Sequence, residues 1–265
     1  MPPDLKPLRI IHEPEVYLIG RPCFDDAEMA HALQDLEVGP ALMFDANSPE
    51  KLVEMAGRVC YMSYGKGRKT NAEFIKNLIA SGHHSVLEHA TWTLLITGVS
   101  RSLSHEFVRH RHFSYSQLSQ RYVDSSDAAF VEPREIRDDA GLHALWTEAV
   151  EAVQAVYEAI EAGIAAKYRY DTGLSATIRT KLARQVARSI LPNATETRFV
   201  VTGNARAWRH FFDMRGTIHA DTEIRKLAVK ILEILKPEAP TIFADYDIRD
   251  GFIVNTGGGG GDAAG

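Results

Sequence analysis

The segment from about Asp138 to Tyr170 is one unbroken helical pattern, with Leu142, Leu145, Ala149, Val153, Tyr157, Ile160 and Ile164 on a single stripe and Gly163 as a candidate kink. A helix this long outruns the width of a small domain, so it is expected to pack against another subunit as well as its own core. The same period returns elsewhere. Ser48-Pro49-Glu50 reads as an N-cap, a first-turn proline and a first-turn acid opening a helix over 49–62, with Leu52, Ala56 and Val59 on its apolar side. Asn71 is expected to cap a second helix carrying Phe74, Ile75, Leu78 and Ile79, which Gly82 ends in the left-handed conformation. Ser100 or Ser102 begins a short helix running into Arg109. From Ser175 to Leu191, the residues Ile178, Leu182, Val186 and Ile190 form a core side, Lys181, Arg184 and Arg188 lie opposite, and Pro192 stops the helix. Asn204 can cap a helix over 205–215 that Gly216 closes, and a last helix with Ile224, Leu227, Ile231 and Leu235 ends before Pro237.

Between these helices, residues 9–18, 90–99, 195–202 and 241–248 read as extended or as strands. The expected class is α+β, a central, mainly antiparallel sheet flanked by long helices. No repeat or linker divides residues 1–250, and 251–265, ending in GGGGGDAAG, reads as a flexible Gly-rich tail. With 265 residues, 45% of them hydrophobic, a disordered body is excluded. No apolar run approaches the roughly 18 residues of a membrane span, and MPPDLKPLRII lacks the apolar core of a secretory signal, so a cytoplasmic protein without a membrane partner is expected. Cys23 and Cys60 form no CxxC pair, and the apolar neighbourhood of Cys60 suggests a buried thiol.

The net charge of −5 hides two basic islands. Residues 101–121 carry +3 and residues 179–215 carry +6, which leaves −14 for the remainder. Arginine outnumbers lysine 20 to 10, a balance that favours planar, bidentate recognition of phosphate or carboxylate. A discrete anionic ligand is expected. The islands are interrupted by apolar helix faces in a chain of pI about 6.1, which argues against nucleic acid as partner.

Six of the eleven histidines lie between His83 and His112, yet no metal is expected. His84 and Glu88-His89 miss the inverted zinc-protease spacing by one residue, and Arg109 and Arg111 flank His110 and His112 with charge that opposes a dication. Gly65-Lys-Gly-Arg-Lys-Thr70 lacks the spacing of a phosphate loop and reads as a mobile basic surface loop, and no GxGxxG follows a strand. The most informative stretch is Arg109-His-Arg-His-Phe-Ser-Tyr-Ser-Gln-Leu-Ser-Gln-Arg-Tyr122. Guanidinium forks at both ends, with hydroxyls and amides between, suit a phosphorylated heterocycle whose phosphate, sugar and base edge all need partners.

Arg109-His110-Arg111, seven residues, then Ser119 resembles the signature of flavin-dependent thymidylate synthases. Gly82 to His89, Arg188-Ser-Ile-Leu-Pro192, Thr202-Gly-Asn-Ala-Arg206, Met214-Arg215 and His219-Ala220 are similar to further family segments in the same order, over about residues 50–247. The resemblance implies that Ser85, Arg109, His110, Arg111, Gln117, Asn204, Ala205, Arg206 and His210 contact FAD. It implies that Glu106, Phe107, Val108, Arg109, Gln117, Leu118, Ser119, Gln120, Arg121, Arg188 and Arg215 hold dUMP. Gln117 and His210 depart from some members, which have Glu and Asn there. The resemblance further implies a homotetramer with active sites shared between subunits, and NADPH and 5,10-methylenetetrahydrofolate as co-substrates.

The chemistry fits these residue types independently. Uracil C5 is a poor nucleophile until electron density is pushed into the ring, and a guanidinium at the N3/O4 edge can stabilise the ionised ring, a role given to Arg215. Hydride transfer lies beyond protein side chains, so their part is positioning and electrostatics. Ser119 has no acid near it in sequence to activate a nucleophile, so hydrogen bonding is its expected role. His219 either lines a route for folate or nicotinamide or caps the last helix. The competing function is a nucleotide- or RNA-binding regulator that uses the same arginines without redox chemistry.

Overall fold

A computed structural model describes residues 7–37, 45–64 and 70–257. The basic loop at 65–69 and the glycine run from 258 lie outside the described residues. In chain order the elements are β1 (Arg9–Ile11), β2 (Glu15–Gly20), α1 (Asp26–Asp35), α2 (Ser48–Tyr61), α3 (Asn71–Ala80), a 3₁₀ turn over His84–His89, β3 (Thr91–Ser100) and α4 (Arg101–Phe107). They continue with β4 (Ser114–Gln117), β5 (Ala129–Val131), α5 (Arg134–Arg137), α6 (Ala140–Lys167), α7 (Ala176–Ala187) with a 3₁₀ turn over Arg188–Ile190, β6 (Glu196–Asn204), α8 (Ala205–Arg215), α9 (Thr222–Glu238), β7 (Tyr246–Arg249) and β8 (Phe252–Asn255). A four-stranded sheet has the order β2-β3-β6-β4, β1 pairs in parallel with β5, and β7 with β8 antiparallel. This is an α+β chain. Among the described residues no helix is long and apolar enough to cross a membrane.

Contacts divide the chain into two compact units, the first formed by Met1–Glu15, Ile96–Arg109 and Ser116–Val200, the second by Val16–Leu95, His110–Tyr115 and Val201–Gly265. In the first, Ser100 caps α4, and the amides of Arg101 and Ser102 donate to the carbonyls of Thr195 and Asn193 at 3.0 and 3.1 Å. Tyr157 of α6 is fully buried, and its hydroxyl accepts the Ser125 amide at 3.3 Å. The side expected to be core on α7 is instead largely open: Ile178 is 50% exposed and Ile190 40%, while Ala183 and Ala187 are buried where α7 packs on α6. Alanines allow the closer helix approach. Leu145 of α6 is likewise 66% exposed, so the long stripe is only partly covered within one chain.

In the second unit two caps shift by one residue from expectation. Asn47, not Ser48, caps α2, its Oδ1 accepting the Glu50 amide at 3.3 Å. Thr70, not Asn71, caps α3, because the Asn71 amide is drawn inward to donate to Glu50 O at 3.1 Å and Glu54 Oε2 at 2.7 Å. Gly82 does adopt the left-handed conformation, with φ of 73°. Helix α9 continues through Pro237 to Glu238; so near the end, proline removes only one helical hydrogen bond. Residues 241–245 are not a strand, since the Thr241 and Ile242 amides turn to the buried Glu50 carboxylate at 2.6 and 3.3 Å. Burial pushes that carboxyl above its ordinary range.

The boundary expected at 250 is also corrected. Phe252–Asn255 forms β8 against β7 through an Asp250-Gly251 turn with φ of 51° and 78°. Asp-Gly between apolar runs is a hairpin signal, and here it extends the ordered chain into the expected tail. Gly216 closes α8 with φ of −82°, so it is required for closeness rather than for handedness: an added Cβ would meet Ile253 Cβ at 2.5 Å. Cys60 is exposed, contrary to the buried thiol its neighbours suggested, as is Cys23.

Trp208, Phe211 and Phe212 of α8 are fully buried, and Phe113 lies with its centroid 4.4 Å from that of Trp208. Gly203 makes this possible, since a Cβ there would stand 2.2 Å from Phe113 Cδ1. Gly203→Ala should therefore destabilise the protein by about 2–3 kcal/mol, as an overpacked core does, measured by urea unfolding. An unchanged midpoint would refute this account of the packing.

Candidate functional site

Strand β6 ends in Asn204, whose Oδ1 accepts the Ala207 amide at 2.9 Å and starts α8. The helix thereby places Trp208, Phe211 and Phe212 in the core and leaves Arg206, His210 and Asp213 on its open side. That side borders a cavity of about 680 Å³, lined also by His84 and Glu88 of the 3₁₀ turn, His112, Asn204, Arg209, Asp245 and Asn255. Volume and mixed lining suit a cofactor-sized ligand. Arg206 is half-exposed and pairs with Glu88 at 2.7 Å. Arg209 is a wall rather than a ligand group, because Asp245 takes it in a bidentate pair at 2.6 and 2.6 Å and the Ile242 carbonyl accepts at 2.6 Å. Asp213 accepts from Tyr246 Oη at 2.9 Å and Asn255 Nδ2 at 3.0 Å, which ties the β7–β8 hairpin to the cavity.

Beside His210 stands a second arrangement. Arg215 Nε donates to His110 Nε2 at 3.1 Å, which makes that ring nitrogen an acceptor and puts the imidazole proton on Nδ1. The His110 ring packs edge-on to Phe211, with centroids 5.1 Å apart, and lies 5.9 Å from His210. Burial, followed by the charges of Arg215 and His210, holds its pKa down to about 4. The Tyr115 hydroxyl donates to the His110 carbonyl at 2.8 Å, and burial keeps that phenol un-ionised well above its ordinary range. A neutral His110 thus aims the Arg215 guanidinium.

Of the expected FAD positions, the second unit brings together His110, Asn204, Ala205, Arg206 and His210, while Ser85 and Arg111 are exposed on the 3₁₀ turn and the 110–113 turn. The first unit holds the others. There Glu106 is half-buried, Val108 and Arg109 are exposed, and Phe107 is fully buried against Phe199 at 5.2 Å, leaving only its backbone for a ligand. Gln117 Nε2 donates to Thr197 Oγ1 at 3.1 Å and the Leu118 amide to the Arg198 carbonyl at 2.9 Å. Ser119 Oγ accepts the Arg121 amide at 3.4 Å, and among the described residues no base hydrogen-bonds to it. Gln120, Arg121 and Arg188 are half-buried. Arg101, which the sequence did not single out, has its pKa lowered by burial first and then by the nearby charge of Arg188. His219 is exposed and does not cap the last helix, whose N-cap is Asp221.

The cavity residues that sequence reasoning missed are Glu88, Arg209, Asp213, Asp245 and Asn255. Asn255 was hidden by the reading of its segment as tail, and the Arg209–Asp245 pair spans too many residues to be seen in a local pattern. Among the described residues no three metal-binding side chains converge.

Comparison with known proteins places the chain among relatives of one kind. The family model for thymidylate synthase complementing protein matches residues 41–241. A flavin-dependent thymidylate synthase of Mycobacterium bovis (strain BCG / Pasteur 1173P2) is 52% identical over 207 residues, covering 77% of this chain and 82% of its own. One of Mycolicibacterium gilvum (strain PYR-GCK) is 54% identical over 207 residues, with the same coverage of both chains.

The depressed His110 titration sets a pH dependence. The unfolded chain takes up this proton near pH 6.5 and the folded chain only near pH 4, so between those values the unfolded state holds more protons. Stability should be full above about pH 6.5, fall as the pH drops toward about 4, and level off below. His110→Asn should flatten that fall in thermal unfolding midpoints measured across the window, and an identical profile would contradict it.

Proposed function

The chain belongs to the flavin-dependent thymidylate synthase family, and from that membership we propose that it converts dUMP to dTMP with carbon from 5,10-methylenetetrahydrofolate and reducing equivalents from NADPH through FAD. It is an enzyme, a methyltransferase. The observation that carries the finer reading is the Arg215–His110 contact beside a cofactor-sized cavity. A guanidinium oriented by a neutral imidazole can meet the N3/O4 edge of an ionised uracil ring. No general base is needed for that. Arg109, Gln117 to Arg121 and Arg188 would hold the nucleotide, with Ser119 as a hydrogen-bonding hydroxyl.

The residues present fit FAD. Arg206 is the half-exposed cation on the first turn of α8, where the helix N-terminus also favours an anion such as a diphosphate, and Asn204 and His210 add donors and acceptors along the same wall. Glu88 must release Arg206 for this to occur. When bound and reduced, FAD supplies the hydride that no side chain can. The remaining work of the chain is to bind, orient and exclude water.

We further propose a cytoplasmic homotetramer whose sites are shared between subunits. One observation supports the assembly: the apolar residues left open on α6 and α7, including Leu142, Leu145, Val156 and Ile178.

The purified protein should be yellow and should bleach on adding NADPH; a colourless protein unable to take up FAD would favour a nucleotide-binding regulator instead. Arg215→Ala should retain FAD but lose about a hundredfold or more in dTMP formation, the scale of one removed charge stabiliser. Wild-type turnover in that variant would remove Arg215 from its role. Ser119→Ala should keep measurable activity, and complete loss with dUMP binding intact would point to a nucleophile.

A further inference from the structure

Helix α8 lines the cavity of about 680 Å³ with Arg206, His210 and Asp213, at the i, i+4 and i+7 spacing that stacks residues on one helix face. The row carries opposite charge at its two ends. Arg206 stands in the first turn, and Asp213 stands seven residues on, about 10 Å further along the axis at the α-helical rise. The family reading gives Arg206 and His210 to FAD and leaves Asp213 without a role.

Asp213 is fixed without being neutralised. Its Oδ1 accepts from Tyr246 Oη at 2.9 Å and from Asn255 Nδ2 at 3.0 Å, and both donors are uncharged. The Asn255 amide is held in that sense, because its own oxygen accepts the Gly257 amide at 3.0 Å. Among the described residues no cation forms an ion pair with Asp213. Arg209, whose titration feels the charge of Asp213, is clasped by Asp245 and the Ile242 carbonyl, and Arg206 pairs with Glu88. Asp213 is exposed on the cavity wall, and among the described residues its Oδ2 has no hydrogen-bond partner. A braced anionic oxygen of this kind repels phosphate and takes an N–H or O–H donor. Tyr246 and Asn255 lie beyond the matched residues 41–241, so the brace is supplied by the β7–β8 hairpin.

We propose that Asp213 Oδ2 accepts a hydrogen bond from the exocyclic amine of the adenine of FAD, so that α8 distinguishes the adenosine half of the cofactor, with the diphosphate at Arg206 and the base edge at Asp213. The inference rests on the FAD reading of this cavity and extends it to Asp213 and the hairpin that braces it. Of the donors on that half, the ribose hydroxyls stand one sugar ring from the diphosphate, whereas the exocyclic amine stands at the far edge of the base. The second separation is the one that suits a row of about 10 Å. A carboxylate at this place is selective, because a base with a carbonyl in the position of the amine would set two acceptors against each other.

The test uses the full-length protein loaded with FAD and measures the flavin released through a filter as adenosine diphosphate or inosine diphosphate is added. Inosine diphosphate carries a carbonyl in place of the amine. Wild type should release FAD to adenosine diphosphate at about tenfold lower concentration than to inosine diphosphate, the scale of one hydrogen bond to a charged group. Asp213→Ala should lose that preference. Asp213→Asn keeps the shape of the side chain, and Asn255 Nδ2 retains its oxygen as acceptor, so the new NH₂ faces the ligand and the preference should reverse toward inosine diphosphate. A side chain that only pins the hairpin would leave the order of the two nucleotides unchanged in both variants. Equal release by the two nucleotides in wild type, release by neither, or the wild-type order in Asp213→Asn would overturn the proposal and leave the FAD reading in place. A protein that takes up no FAD would overturn both.

Discussion

A side chain at position 203 would place its first carbon 2.2 Å from the Phe113 ring, and the absence of that carbon lets Phe113 settle against Trp208. Much of the second unit follows from that contact. With the ring seated, the turn from His110 to Phe113 is held over the face of α8, and the His110 imidazole is packed against Phe211 within reach of Arg215. The same packing removes His110 from water, which is the leading cause of its depressed titration. An aromatic core therefore sets the protonation state of the group that orients the charge. Glycine is a packing requirement here, since the backbone at 203 carries no positive φ.

Arginines divide by whether the fold supplies them with an acid. Arg58 has Glu54, Arg209 has Asp245, and Arg184 has Asp124 and Glu161, and these guanidinium groups brace helices and loops. Arg215 rests on a neutral imidazole instead, and Arg188 lies near a second cation, Arg101. A guanidinium near a second cation gains most from an anionic ligand. Arg206 is intermediate: its partner Glu88 is itself half-exposed, so the pair is weak and open to exchange. A composition rich in arginine thus serves two ends, and only partner geometry tells them apart.

Apolar side chains on α6 and α7 show the same ambiguity between core and surface. Periodicity identifies Ile178, Val186 and Ile190 as one side of a helix, but Ala183 and Ala187 are the residues buried in the single chain. A side can be apolar because its own chain covers it or because another copy does, and both produce the same spacing.

Much of the local structure was legible in the residues themselves. The long helix, the left-handed Gly82, the Asn204 cap and the strands around 91–100 and 196–204 follow from periodicity and capping chemistry, which act over a few residues. Other features required the folded chain. Asn71 leaves its capping position for Glu54, Thr241 and Ile242 turn to Glu50, and Asp245 clasps Arg209, all across separations that no local rule reads. His110 could be named as a candidate site residue from sequence, but its neutrality could not, because a pKa depends on burial and on charges brought near only by packing. The chain by itself determined which side chains are available for the chemistry; the tertiary structure decided which of them are spent on one another and which are left to meet a ligand.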